Sequence, residues 1–104
     1  MDINKWLAKH PVSCTYGAPL GDKGERGDSS RPYKFHLQLL DMVDLCYDRA
    51  GTYWGMGDRH RGYMYGYMCD DPEDGLVFGF VRARSREEAK NKVRDCYLHA
   101  RFYR

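Results

Sequence analysis

Apolar and polar positions alternate with a period of two along three stretches of the chain, and each such stretch predicts a strand. Residues 63–69 read YMYGYMC, which places Tyr63, Tyr65 and Tyr67 on one face and Met64 and Met68 on the other. Gly66 interrupts the second face, as strand glycines do where another group approaches closely. Residues 76–84 alternate again, with Val77 and Val81 on one side and Leu76, Phe78 and Phe80 on the other. The intervening DDPEDG has the composition of a turn, so the two runs predict an antiparallel hairpin. Tyr33, Phe35, Leu37 and Leu39 alternate with Lys34, His36 and Gln38 and predict a further strand. From Leu39 onward LLDMVDLCYDRAG fits two periods, because Leu39, Val43 and Cys46 also share a helical face ending at Gly51. We read it as a continuation of the strand with a bulge near Leu40 and Asp41.

A helical period follows the hairpin. Ser85-Arg86-Glu87-Glu88 is a capping box in which Ser85 caps and Glu88 reaches back to the cap's amide. The helix is expected to run through Ala100, with Ala89, Val93, Cys96 and Ala100 as a narrow apolar stripe widened by Tyr97. Arg86, Lys90 and Arg94 face water, and residues 101–104 form a frayed end from which Phe102 returns to the core. At the other end, Asp2 caps a short helix with Trp6 and Leu7 as its grip and Pro11 as its stop. Such a helix needs docking to persist. Residues 12–32 lack any apolar period and read as a loop, packed down at residues 16–21 and loose beyond; residues 50–62, with Gly51, Gly55 and Gly57, read as a structured loop. The order predicts one α+β domain over residues 1–104. A helix and loop arm (1–32) precedes an antiparallel sheet of about three strands packed against the C-terminal helix (33–104), with the helices on one face.

Composition narrows the function classes. A chain of 104 residues has room for one core. Its net charge of +2, from 17 basic and 15 acidic side chains, gives no global case for a dedicated nucleic-acid binder. Nine tyrosines favour a recognition surface, since the ring can be buried while the hydroxyl stays wet. No apolar run approaches the ~20 residues of a membrane span, and MDINKWLAKHP lacks the pattern of a signal peptide, so a cytoplasmic location is expected. Cys14, Cys46, Cys69 and Cys96 lie far apart and read as reduced, small apolar residues.

Catalytic and metal patterns are weak. His10, His36, His60 and His99 are scattered, without the close ligand pairs of a zinc site, and the acidic turn at residues 70–74 lacks the alternating ligands of a calcium loop. Cys69 or Cys46 could join His60 and Asp58, but no helix N-terminus follows either cysteine to lower its pKa. GAPLGDKGERG lacks the Ser or Thr that follows the lysine of a phosphate loop. The expectation is a non-enzyme with no metal and no cofactor. The strongest candidate surface is the loop bearing Arg49, Tyr53, Trp54, Asp58, Arg59 and Arg61, beside the Tyr63, Tyr65 and Tyr67 face. Tyr, Trp and Arg are the types enriched at binding hot spots. The same rings also fit a core plug under a glycine-bent loop, and the same arginines could stack on bases as a nucleic-acid module.

Three segments taken together carry a resemblance: Tyr16-Gly17-Ala18-Pro19-Leu20-Gly21, Gly51-Thr52-Tyr53-Trp54-Gly55, and Phe80-Val81-Arg82-Ala83-Arg84-Ser85-Arg86-Glu87-Glu88-Ala89. In this order the chain resembles a group of small bacteriophage and prophage accessory proteins of unassigned function. The resemblance implies a phage-encoded protein acting in the cytoplasm of a bacterial host, binding and blocking a host protein or complex, defence complexes included, in an anti-CRISPR-like manner. A homodimer through the tyrosine face is a further expectation. The element order is also similar to that of double-stranded RNA-binding domains, although Glu87 and Glu88 stand where those domains grip phosphate.

Overall fold

The structure is a computed structural model that describes residues 2–9 (the side chain of Leu7 excepted), 28–49, 51, 53–54 and 62–104. Among these residues the elements are α1 (Ile3–Lys9), β1 (Lys34–Leu39), β2 (Tyr63–Asp71), β3 (Gly75–Ala83), α2 (Arg86–Cys96) and β4 (Arg101–Phe102). The alternating runs form the hairpin read from sequence: β2 and β3 pair antiparallel from Tyr63↔Ala83 to Asp71↔Gly75. Gly75 closes the turn at φ 74°, a conformation that glycine adopts without a Cβ penalty. β1 adds antiparallel to β2, and β4 adds parallel to β1, giving the order β3-β2-β1-β4. The domain is therefore α+β with a four-stranded sheet. No described helix is long and apolar enough to cross a membrane.

Both faces of the sheet are apolar, and both are covered. Phe35, Leu37, Tyr67, Val77 and Val81 pack with Ala89 and Val93 of α2, and with Tyr33, Tyr97 and Ala100. On the opposite face Met64, Met68 and Phe80 pack with Ile3 of α1, Leu40 and Trp54. The helices thus lie on opposite faces, which corrects the expectation of one. Period-two strands that are apolar on both sides must be roofed twice. Ile3, fully buried, anchors α1; burying such a side chain contributes about 1.5–3 kcal/mol. Its amide donates to Gln38 Oε1 at 2.5 Å, and Asn4 Oδ1 accepts from the Asp41 amide at 2.9 Å. Asp2 caps the helix as expected, taking the Lys5 amide at 3.3 Å. Gly66 lies under α1: a Cβ there would stand 2.8 Å from Ile3 Cγ2.

Three boundaries differ from the sequence reading. The strand at residues 33–45 stops at Leu39, because Asp44 Oδ1 accepts from the amides of Cys46 (2.7 Å) and Tyr47 (2.8 Å) and bends the chain out of both strand and helix. α2 ends at Cys96, with Tyr97 as its C-cap, rather than at Ala100. Residues 101–102 form β4 instead of a frayed end. The Ser85 half of the capping box is made, Glu88 N donating to Ser85 Oγ at 3.1 Å, while the Glu88 carboxylate turns to Arg84 and Lys92.

β4 and its neighbours close the outer edge of β1. The Tyr33 carbonyl accepts from Arg101 N (2.9 Å) and the Phe35 carbonyl from Tyr103 N (3.0 Å). Arg86 Nη1 donates to Leu37 O (2.7 Å), and Asn4 Nδ2 to Leu39 O (3.2 Å). At the far end of the sheet, Arg31 gathers Asp71, Glu73 and Asp74 at 2.9–3.2 Å, and Tyr33 donates to Asp74.

Two measurements test this packing. Gly62 has φ 86° and an added Cβ would fall 2.2 Å from the Ala83 carbonyl oxygen, so Gly62→Ala is expected to cost about 2–4 kcal/mol. Gly66→Ala meets side chains, those of Ile3, Leu40 and Phe80, and should cost about 1–3 kcal/mol, read from denaturant midpoints. The second concerns acid. Asp71 is held below the usual carboxylate range by the Asp74 amide first, then by the Glu73 amide and Arg31; Asp2 is lowered by the Lys5 amide and Gln38. Depressed carboxylates stabilise the fold above their unfolded pKa and lose that contribution as pH falls through the folded value. Stability should therefore be flat in this respect above about pH 5 and decline below about pH 4. Asp71→Asn should be weaker at neutral pH and show a shallower acid decline; an unchanged decline would exclude Asp71 as a contributor.

Candidate functional site

The segment after β1 is a small irregular hairpin laid over one end of the sheet. Leu40 N donates to Met64 O (2.9 Å), the last rung before the chain leaves the ladder. Met42 then bridges Asp48, Tyr47 bridges Tyr53, and Arg49 N returns to Asp41 O at 2.8 Å. Gly51, at φ 94°, makes the turn that brings Trp54 back, and Trp54 N donates to Cys46 O (2.7 Å).

Two buried polar groups bind this segment to the sheet. Trp54, fully buried, packs on Phe80 with ring centroids 4.6 Å apart and donates its Nε1–H to Asp48 Oδ2 at 2.9 Å. From the C-terminal end of β3 the Arg82 guanidinium, only 5% exposed, donates to the carbonyls of Leu45 (2.9 Å), Gly62 (3.0 Å) and Trp54 (3.0 Å). Fixed N–H groups of one guanidinium thereby satisfy carbonyls of three chain positions.

The hairpin fixed in this way presents an apolar end to solvent. Leu39 (48%), Val43 (55%), Tyr47 (45%) and Tyr63 (51%) are all exposed there. Two open grooves share Met42 and Tyr63: one of about 380 Å³ reaches Leu39 and Asn4, the other of about 570 Å³ reaches Val43, Leu45 and Cys46. Tyr47 and Tyr53 hold their rings 5.1 Å apart. The charges described at this end are Asp41, Asp44 and Arg49. Arg49 Nε meets Asp41 Oδ2 at 3.0 Å in an exposed pair of little energetic weight. The amides of Cys46 and Tyr47 hold the Asp44 carboxyl below its usual range, so it stays ionised at neutral pH.

The sequence candidates divide. Arg49 and Tyr63 are exposed and Tyr53 is half-buried, all three in or beside this end. Trp54 and Tyr67 are buried in the two cores, and Tyr65 is half-buried against the α2 side, so the tyrosine face is largely roofed by the helix. Asp58, Arg59 and Arg61 lie outside the described residues. Sequence reasoning missed Leu39, Met42 and Val43, assigned to a strand continuation, and Arg82, assigned to an ordinary strand position. A cation in an otherwise apolar run was the available signal for Arg82. Burial pushes the Cys69 thiol up, away from its reactive thiolate form. Among protein-family models, curated proteins and solved structures, none matches the chain.

The guanidinium contacts are open to a direct check. Arg82→Met should leave buried carbonyls without their donor and cost about 3 kcal/mol or more. Trp54 would then lose its enclosure, shifting tryptophan emission to the red before global unfolding. Retained emission and stability would show that the hairpin holds without the guanidinium.

Proposed function

We propose that this protein is a protein-binding module whose contact surface is the apolar end formed by Leu39, Met42, Val43, Tyr47 and Tyr63. One observation carries the reading: four of the six large apolar side chains exposed among the described residues gather at this end. Among the described residues the grooves between them are open and lack a converging set of polar groups, which suits a protein surface better than a small ligand. The bridge between Tyr47 and Tyr53 keeps the exposed ring in place before binding, which lowers the ordering cost. Asp41, Asp44 and Arg49 at the margin would set register, and their net negative charge favours a partner with a cationic rim over phosphate.

The resemblance to small phage proteins supports a bacterial host protein or complex as the partner, a defence complex being one such target. The effect would be inhibitory by occlusion: the apolar end covers a working surface of the partner and excludes water from it. Trp54 contributes by supporting the surface from within, packed in the cluster that holds Leu40 and against which Met42 lies.

The test uses tagged full-length protein and nuclease-treated bacterial lysate, followed by titration of the purified captured partner. Wild type should retain a stoichiometric protein, and Val43→Asp with Tyr63→Asp should weaken the interaction by about 30-fold or more. Equal retention by the double variant would overturn this surface. Recovery of nucleic acid alone, lost on nuclease treatment, would overturn the protein-binding reading.

A further inference from the structure

We propose that the β4 edge of the sheet is a second, separate surface that binds the phosphate backbone of nucleic acid. It carries six cations drawn from three elements and the chain after them: Lys34 of β1, Arg86, Lys90 and Arg94 of α2, Arg101 of β4, and Arg104. No carboxylate among the described residues lies within ion-pair distance of any of them; the described pairs are made by Arg31, Arg49, Arg84 and Lys92. Setting the six aside leaves 11 basic side chains against 15 acidic ones, a remainder of −4 in a chain of net +2. A near-neutral total is thus compatible with a cationic edge.

The arrangement works against stability. Lys34 and Arg101 are direct partners in the parallel β1–β4 ladder, and like charges facing each other destabilise a sheet. Arg86, Lys90 and Arg94 recur at four-residue steps along about 12 Å of one helix flank, a spacing at which like charges repel. These cations are positioned without being neutralised. Lys90 Nζ and the Arg94 guanidinium stand 5.8 and 5.2 Å from the Phe102 ring centroid, and Lys34 Nζ stands 4.2 Å from that of Tyr103. Arg86 is fixed by the carbonyls of Leu37 (2.7 Å) and Tyr103 (2.8 Å), neutral acceptors that bring no countercharge. Glu87 and Asp95 bound the stripe on the outer flank of α2.

Phosphate suits this edge better than an acidic protein. Protein interfaces centre on a dry apolar patch depleted of charge. Here the rings of Phe102 and Tyr103 lie against cations, and His36 stacks on Tyr103 at 4.2 Å and 6°. With its ring faces occupied in this way, the edge offers no open platform for bases, so binding should be indifferent to sequence.

The experiment is fluorescence anisotropy with the full chain and labelled 20-nucleotide DNA, single-stranded and duplex, from 50 to 200 mM NaCl. With four to six phosphates engaged, log K on duplex should fall against log salt with a slope of about −3.6 to −5.4, a loss of roughly 150- to 1,800-fold over that range. The triple variant Lys90→Gln, Arg94→Gln, Arg101→Gln should make the slope shallower by about 3, while Arg84→Gln, whose cation is paired with Glu88, should leave it unchanged. If circular dichroism shows the triple variant unfolded, Arg101→Gln alone should reduce the slope by about 1. Absence of binding at 50 mM salt, or an unaltered slope in a folded variant, would overturn the proposal. So would polyglutamate competing as well as DNA at equal charge, since the surface would then be one for acidic protein.

Discussion

The second face of this sheet stays closed because one guanidinium is buried in it. Arg82 is buried near the C-terminal end of β3 between Val81 and Ala83, where an unpartnered cation would be prohibitively costly. Its bonds to the carbonyls of Leu45, Trp54 and Gly62 spread that charge over three segments and satisfy acceptors that a loop cannot satisfy internally. Asp48 performs the reciprocal task for the Trp54 indole. The loop residues are thus held by polar bonds from below and by the indole itself, and the exposed positions of Leu39, Val43 and Tyr47 follow from that attachment. The apolar end is only as well defined as the buried polar pair beneath it.

Much of the fold was legible because it rests on local rules. Period-two alternation located β1, β2 and β3, and Ser85 marked the start of α2. The presence of Met64, Met68, Phe78 and Phe80 opposite Val77, Val81 and Tyr67 already implied two covered faces, although the reading placed both helices together. The stretch after Leu39 was illegible for a definite reason. Its apolar residues satisfy two periods equally, and the side chain of Asp44 overrides both by bonding to the backbone beyond it. β4 was hidden because two residues have no period; its pairing is set by β1, far away in sequence.

The site was less legible than the fold. Tyrosine and tryptophan are selected for cores and for contact surfaces alike, and only tertiary packing distinguishes the two uses. Trp54 and Tyr67 went inward, whereas Tyr63, on the same strand face as Tyr67, stays exposed. Charge was equally deceptive. Summation over the chain cancels the basic edge near β4 against acidic residues elsewhere, including Asp71, Glu73 and Asp74 at the Arg31 cluster.

The closed outer edge of β1 has a bearing on solubility. YKFHLQLL is β-prone, rich in apolar residues and low in charge, the kind of segment that templates stacking between copies once its backbone is free. Four successive outward carbonyls, those of Tyr33, Phe35, Leu37 and Leu39, are occupied by three devices: the backbone amides of Arg101 and Tyr103, a guanidinium and an asparagine side-chain amide. A very short strand flanked by cations is itself one of the ways natural sheets blunt an edge. The guard along this edge is therefore double: lifting of residues 101–103 would free the Tyr33 and Phe35 carbonyls, while Arg86 of α2 and Asn4 of α1 still hold those of Leu37 and Leu39.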